Sequence, residues 1–209
     1  MTPGRGAGRP ARIGLLGGSF DPPHLAHLAL ARTALNALQL DEVRWLPAGQ
    51  PWQKAGRQMA PGAHRAAMVR LLIAGEPDFQ LDERELHRPG ATYTVDTVRE
   101  FRQQQPGVEF FLILGQDQYG RLDTWHDWQG LLAGITLAVA ARGGQRPTPP
   151  AALSGHPHRL EVLPLPDMPV SSTTLREALA QGDDVSLMVG QAVAGYIARH
   201  HLYRGQTPT

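Results

Sequence analysis

The sequence predicts an α/β fold built on a single doubly wound parallel sheet with helices on both faces. Three observations carry that expectation. Short apolar runs alternate along the chain with longer segments whose apolar residues recur at helical spacing. The run at 108–114, Val-Glu-Phe-Phe-Leu-Ile-Leu, is apolar almost throughout, which suits a strand covered on both faces in the middle of a parallel sheet. Residues 12–47 read as strand, helix, strand, a unit that crosses over right-handed and leaves its strands parallel.

A chain of 209 residues is long enough for one substantial core and short for two. We place that domain at 11–204, with a Gly-, Pro- and Arg-rich flexible N-terminus at 1–10 and a short tail at 205–209. The 20 basic residues nearly balance the 19 acidic ones, so the overall charge calls for neither nucleic acid nor an anionic membrane, and any affinity for anions must be local. The lack of cysteine excludes disulfides, thiolate catalysis and cysteine-based metal sites. No stretch approaches the ~18 consecutive apolar residues of a membrane span, and the first ten residues have no apolar signal core. The expectation is a soluble, cytoplasmic protein of undetermined oligomeric state.

Taken in order, Arg12-Ile13-Gly14-Leu15-Leu16 reads as the first buried strand, Gly17-Gly18 as a turn free of side chains, and 25–38 as a helix. Backbone N–H groups at a helix start carry partial positive charge, and paired glycines let a bulky anion approach the main chain, so this turn with Ser19 and Phe20 is a candidate phosphate cradle. His24 and His27 are three apart and, on one helix, project from the same face toward that guest. A second strand is read at 41–47, followed by a loop in which Trp52 offers a stacking face and Lys54 a cation, or which serves only as an exposed hinge.

Pro61 opens a helix through residue 74, with Met68, Leu71 and Leu72 facing inward and His64, Arg65 and Arg70 left to solvent. Residues 79–82 look like a third strand and 83–86 its continuation. Thr and Asp within 92–97 cap a helix running to about Gln104, and Tyr93 and Thr94 at its start are placed to hold a small polar ligand. The strand at 108–114 ends in Gly115-Gln116-Asp117, which puts the Asp117 carboxylate where open α/β sheets accept ribose hydroxyls. Two indoles follow, Trp125 and Trp128, one for the core and one with a flat face for an aromatic ring.

Residues 132–141 give another strand, 142–158 a Gly/Pro/His-rich mobile surface connection, and 160–164 a return to the sheet. Ser171-Ser172-Thr173-Thr174 then opens a helix to Gln181, with Gly182 as its stop. One hydroxyl suffices for a cap; the surplus Ser172 and Thr173 together with Arg176, whose planar fork matches phosphate oxygens, make a second phosphate cradle. A final helix at about 190–200 closes the domain, with Tyr196 and Ile197 inward.

The run Gly18-Ser19-Phe20-Asp21-Pro22, followed by His24-Leu25-Ala26-His27, resembles the phosphate-binding signature of the nucleotidyltransferase superfamily, and Ala26 stands where that pattern usually carries Gly. Together with the segment 81–86, Tyr93-Thr94, Leu114-Gly115-Gln116-Asp117, Trp125 and the Ser171 to Arg176 motif, the order of elements is similar to that of bacterial nicotinate-nucleotide adenylyltransferases. The resemblance implies a Rossmann-like domain that, with Mg²⁺, joins ATP to nicotinate mononucleotide, releasing pyrophosphate. It further implies that His24 and His27 donate to the ATP phosphates, His27 chiefly at the α-phosphate, while Ser172, Thr173 and Arg176 hold the β and γ groups. By the same resemblance Asp117 takes the adenosine ribose, Trp125 stacks on the nicotinate ring, and Tyr93 and Thr94 lie near its carboxylate. The rival readings are another phosphorylated acceptor, phosphopantetheine or nicotinamide mononucleotide, and a non-catalytic nucleotide-binding protein.

Overall fold

The computed structural model describes residues 9–51, 59–141, 145–166 and 168–205. In chain order its elements are β1 (Arg12–Gly18), α1 (Leu25–Ala37), β2 (Glu42–Pro47), β3 (Gln50–Pro51), α2 (Gly62–Leu72), β4 (Phe79–Leu81), α3 (Arg84–His87), β5 (Ala91–Thr92) and α4 (Thr94–Gln104). There follow β6 (Glu109–Gly115), α5 (Gln116–Tyr119), α6 (Trp128–Leu132), β7 (Thr136–Ala140), α7 (Ala151–Ser154), β8 (Arg159–Leu163), α8 (Ser172–Gln181), α9 (Ser186–Val189) and α10 (Gln191–Arg199).

Six strands form one sheet in the order β4-β2-β1-β6-β7-β8, all neighbours parallel, while β3 and β5 make a separate two-residue pair. The chain therefore starts at the centre, builds outward to β4, then returns to lay β6 beside β1 and builds the other way. Where the direction reverses, the loops leaving β1 and β6 diverge and open a crevice at the carboxyl ends of the strands.

Strand residues alternate between two buried layers, as the period of two demands. Phe111 and Ile113 of β6 and Ala138 and Ala140 of β7 join the layer holding Leu28, Ala31 and Ala34 of α1. Phe110, Leu112 and Leu114, with Leu137 and Val139, pack instead with Val95, Val98 and Phe101 of α4. Burying each large side chain contributes about 1.5–3 kcal/mol, and both faces are covered, so the central strands read as continuous apolar runs. A third cluster lies to one side, joining Met68 of α2, Leu175 of α8, Val189, Val193 and Ile197 of α9 and α10, and Tyr203.

Several expectations are corrected. Residues 84–87 are the short helix α3, not a continuation of the third strand, because Glu85 turns inward to accept a hydrogen bond from Thr97 Oγ1 at 2.8 Å. The strand expected from residue 132 begins at Thr136, and Leu132 belongs to α6, whose N-cap Asp127 accepts from Gly130 N. Thr92 lies in β5 rather than capping α4, and the N-cap residue there is Tyr93. Within the connection read as mobile surface, the described part is docked: α7 buries Leu153 completely, and Tyr119 Oη meets His158 Nε2 at 3.0 Å. Arg65, expected in solvent, is only 2% exposed, and Val69 rather than Leu71 shares the buried face of α2 with Met68. Tyr196 is half-buried, its hydroxyl bonded to His64 Nδ1 at 2.9 Å. Gly182 does end α8 as expected, in the left-handed conformation (φ 87°) that glycine adopts without steric cost.

Candidate active site

β1 runs out at Gly18, and the chain turns through Ser19, Phe20, Asp21 and Pro22 before α1 begins. Phe20 adopts a left-handed backbone (φ 49°), buries its ring at 1% exposure and meets the His27 ring edge-on at 5.1 Å. The aromatic side chain of the turn thus goes into the core, while Gly17, Gly18 and Ser19 line the cleft.

His24 is the N-cap residue of α1, with extended backbone, rather than a residue of the helix itself; His27 is the third residue inside. Their rings nevertheless stack, with centroids 3.7 Å apart and planes 27° from parallel. The backbone N–H of His24 donates to His27 Nδ1 at 3.2 Å, so that nitrogen is an acceptor and the ring proton sits on Nε2 as a donor. Burial lowers the pKa of His24 from 6.5 to about 4, so this imidazole is neutral at physiological pH. Its Nδ1 is buried and has no hydrogen-bond partner among the described residues.

Ser171 caps α8 by accepting from Thr174 N at 3.2 Å, and Thr174 Oγ1 reciprocates toward Ser171 N at 3.3 Å. That leaves the next hydroxyls for other work. Ser172 Oγ donates to the Pro22 carbonyl at 2.9 Å, and Arg176 Nη1 donates to the Asp21 carbonyl at 2.7 Å. Arg176 Nη2 also reaches Thr173 Oγ1 at 3.1 Å. The second cradle is therefore fastened directly to the turn of the first, across about 150 residues of sequence.

Two further walls complete the cleft. Beyond β6, Asp117 sits exposed in the first turn of α5, and the Gln116 amide pairs with Thr148, donating to its carbonyl at 3.1 Å and accepting from its N–H at 3.2 Å. Opposite stand Glu85, Thr92, Tyr93, Thr94, Trp125 and His126. Burial raises the pKa of the Glu85 carboxyl, opposed by the Thr97 hydrogen bond and the charge of Arg88. The His126 ring lies 4.3 Å from that of Tyr93, tilted by 32°. Thr92 Oγ1 and Trp125 Nε1 are buried without partners among the described residues.

The cleft holds about 620 Å³ and is lined by Gly17, Gly18, Ser19, His24, His27, Tyr93, Thr94, Asp117, Trp125, Ser172, Thr173 and Arg176, all anticipated from sequence. Phe20 is set apart from these, its ring in the core beneath the turn. Trp52 and Lys54 lie outside the described residues. Ala26 also lines the cleft and is half-buried. Sequence reasoning missed Glu85, Thr92, Gln116 and Arg65. Of these only Arg65 had a legible signal, since it lies three and four residues before the inward Met68 and Val69.

Among the described residues no three His, Asp or Glu side chains converge as a metal site. The carboxylates on the cleft wall are Glu85 and Asp117. Imidazoles, hydroxyls and a guanidinium dominate, a donor set for phosphate oxygens rather than for a cation.

The cytidylyltransferase-like family model matches residues 15–178. A probable nicotinate-nucleotide adenylyltransferase of Methylibium petroleiphilum is 52% identical over 204 residues, covering 94% of this chain and 96% of that protein. Its counterpart in Bordetella pertussis is 47% identical over 197 residues, covering 92% and 98%. Among solved structures, the nicotinic acid mononucleotide adenylyltransferase of Plasmodium falciparum complexed with NaAD shares the fold with a TM-score of 0.78 at 20% identity, covering 92% of this chain and 97% of that one.

Proposed function

The chain belongs to the cytidylyltransferase-like family, and from that footing we infer that it is an adenylyltransferase joining ATP to nicotinate mononucleotide on the route to NAD. The products are nicotinate adenine dinucleotide and pyrophosphate. A phosphate oxygen of the mononucleotide attacks the α-phosphorus of ATP, a new P–O bond forms, and the bond to the bridging αβ oxygen breaks with its electrons leaving on pyrophosphate. The attacking phosphate has a second pKa near 6, so it is mostly dianionic at neutral pH and needs no side-chain base. What remains for the protein is alignment and neutralisation of charge.

One observation carries the reading: both phosphate cradles open onto a single cleft and are hydrogen-bonded to each other through Pro22 and Asp21. In our reading His27 Nε2–H donates to the α-phosphate oxygen on which charge collects. Neutral His24 adds a hydrogen bond without adding charge. Ser172, Thr173, Arg176 and the N-terminus of α8 hold the departing β and γ groups, and the main chain at Gly17, Gly18 and Ser19 lets the triphosphate lie close. Asp117 accepts from the adenosine ribose. Trp125 offers its indole face to the cationic pyridine ring, with Tyr93 and Thr94 beside the carboxylate. A divalent cation, Mg²⁺ in our reading, fits this donor set only as a passenger on the triphosphate oxygens and water, where it supplies further neutralisation when bound.

The test is an incubation of the purified protein with ATP and, in separate reactions, nicotinate mononucleotide, nicotinamide mononucleotide and phosphopantetheine. Pyrophosphate release with formation of nicotinate adenine dinucleotide in the first reaction, well above the others, is expected. Turnover of phosphopantetheine alone would overturn the acceptor assignment.

A further inference from the structure

We propose that Arg65, which does not line the cleft, is a positioning residue that sets the distance between the phosphate turn and the acceptor wall. The proposal rests on adenylyl transfer being the reaction in this cleft. Its guanidinium is almost completely buried, and among the described residues it makes no ion pair. Instead it is spent on main-chain carbonyls from three separate segments. Nη1 donates to Ser19 O at 2.8 Å, inside the phosphate turn. Nη2 donates to Ala48 O at 2.7 Å and to Gly49 O at 3.4 Å, just past β2. Nε donates to Ala60 O at 3.0 Å, at the approach to α2.

The segment at 48–49 is itself pressed against the acceptor side. A Cβ on Gly49 would run into the Glu85 carbonyl and lie 3.0 Å from Thr92 Cγ2, so the backbone there has no slack. Moving Ala48 and Gly49 relative to Ser19 therefore moves the wall that carries Thr92 and Tyr93 relative to the turn that carries the triphosphate. A planar fork with donors on three nitrogens holds those carbonyls at fixed mutual positions, which a lysine, with its donors at one point, cannot. The buried charge is offset through Asp21, whose carboxylate accepts from Ala60 N at 3.1 Å and from the Tyr203 hydroxyl at 2.9 Å.

Because two bound phosphates must meet in line, a displacement on the order of 1 Å between their supports costs about 100-fold in turnover while each substrate still binds its own support. The test is steady-state kinetics on Arg65→Lys and Arg65→Met, with amide hydrogen exchange on the substrate-free proteins. Arg65→Lys keeps a cation beside Asp21 and so keeps the fold where the Met variant fails to. The expected result is a kcat lowered about 100-fold, KM values for both substrates within about threefold of the parent, and faster exchange confined to the turn and to Ala48 and Gly49. A folded Lys variant with near-parental kcat overturns the proposal, as does exchange raised evenly across the sheet with KM values climbing, which marks a scaffold role only. If the parent protein makes no dinucleotide, the reaction assignment falls while the exchange pattern still reports whether Arg65 braces the turn.

Discussion

Protonation of His24 offers a quantitative test of the site's electrostatics. In the folded protein the ring is buried and its pKa lies at about 4, against 6.5 when exposed. At about 1.4 kcal/mol per tenfold difference in proton affinity, that gap amounts to about 3 kcal/mol. The sign follows from which state binds the proton. Above 6.5 both states are neutral at this position and it contributes no pH dependence. Between 6.5 and about 4 the unfolded chain takes up a proton that the folded chain refuses, so stability falls as pH falls through that window.

The perturbation is His24→Gln, which keeps a polar amide of comparable reach and removes the titration. Urea unfolding of both proteins from about pH 7.5 to about pH 4.5 should show the parent losing about 2–3 kcal/mol more than the variant, other titrations cancelling in the difference. NMR of the ring should place its protonation well below that of an exposed histidine. A non-reacting triphosphate analogue should raise the value, since an anion beside the ring favours the charged form. Identical pH dependence in the two proteins, or a His24 ring titrating at the ordinary histidine value, would refute the reasoning.

Other expectations concern single contacts. On the proposed role of His27, its replacement by Ala removes one donor at the reacting phosphate and should lower kcat and kcat/KM together by about 100–1000-fold with the melting temperature little changed, as steady-state rates would report. Trp125→Ala should raise KM for nicotinate mononucleotide several-fold and leave KM for ATP alone; the reverse pattern in initial-rate measurements would remove Trp125 from the acceptor subsite. Tyr203→Phe deletes the hydroxyl that donates to the buried Asp21 Oδ1 at 2.9 Å and should cost about 1.5–3 kcal/mol in urea unfolding with an unchanged m-value.

The parts of the site that were legible from the chain are those in which function needs a local pattern. Gly17-Gly18 before a helix, two imidazoles three apart, and a hydroxyl run followed by an arginine are each complete within a dozen residues. The misreadings have the opposite character. The general preference of arginine for solvent puts Arg65 on the surface, yet its partners come from Ser19, Ala48 and Ala60, no two of them in one element. Residues 83–86 follow directly on the third strand and read as its continuation, but they open α3, and Glu85 finds its hydrogen bond on α4, a long-range contact invisible in the local sequence.

Hydrophobic spacing and turn chemistry are short-range properties, so the alternation of strands and helices, the parallel sheet and the two motifs proposed to hold phosphate can be read along the chain. The strand order, by contrast, depends on how distant segments share a core. So does the meeting of the motifs, for Ser172 and Arg176 reach Pro22 and Asp21 only because α8 packs where the loops from β1 and β6 part. Burial is also a property of the assembled chain, and it is burial that keeps His24 neutral and turns Arg65 from a surface charge into a brace.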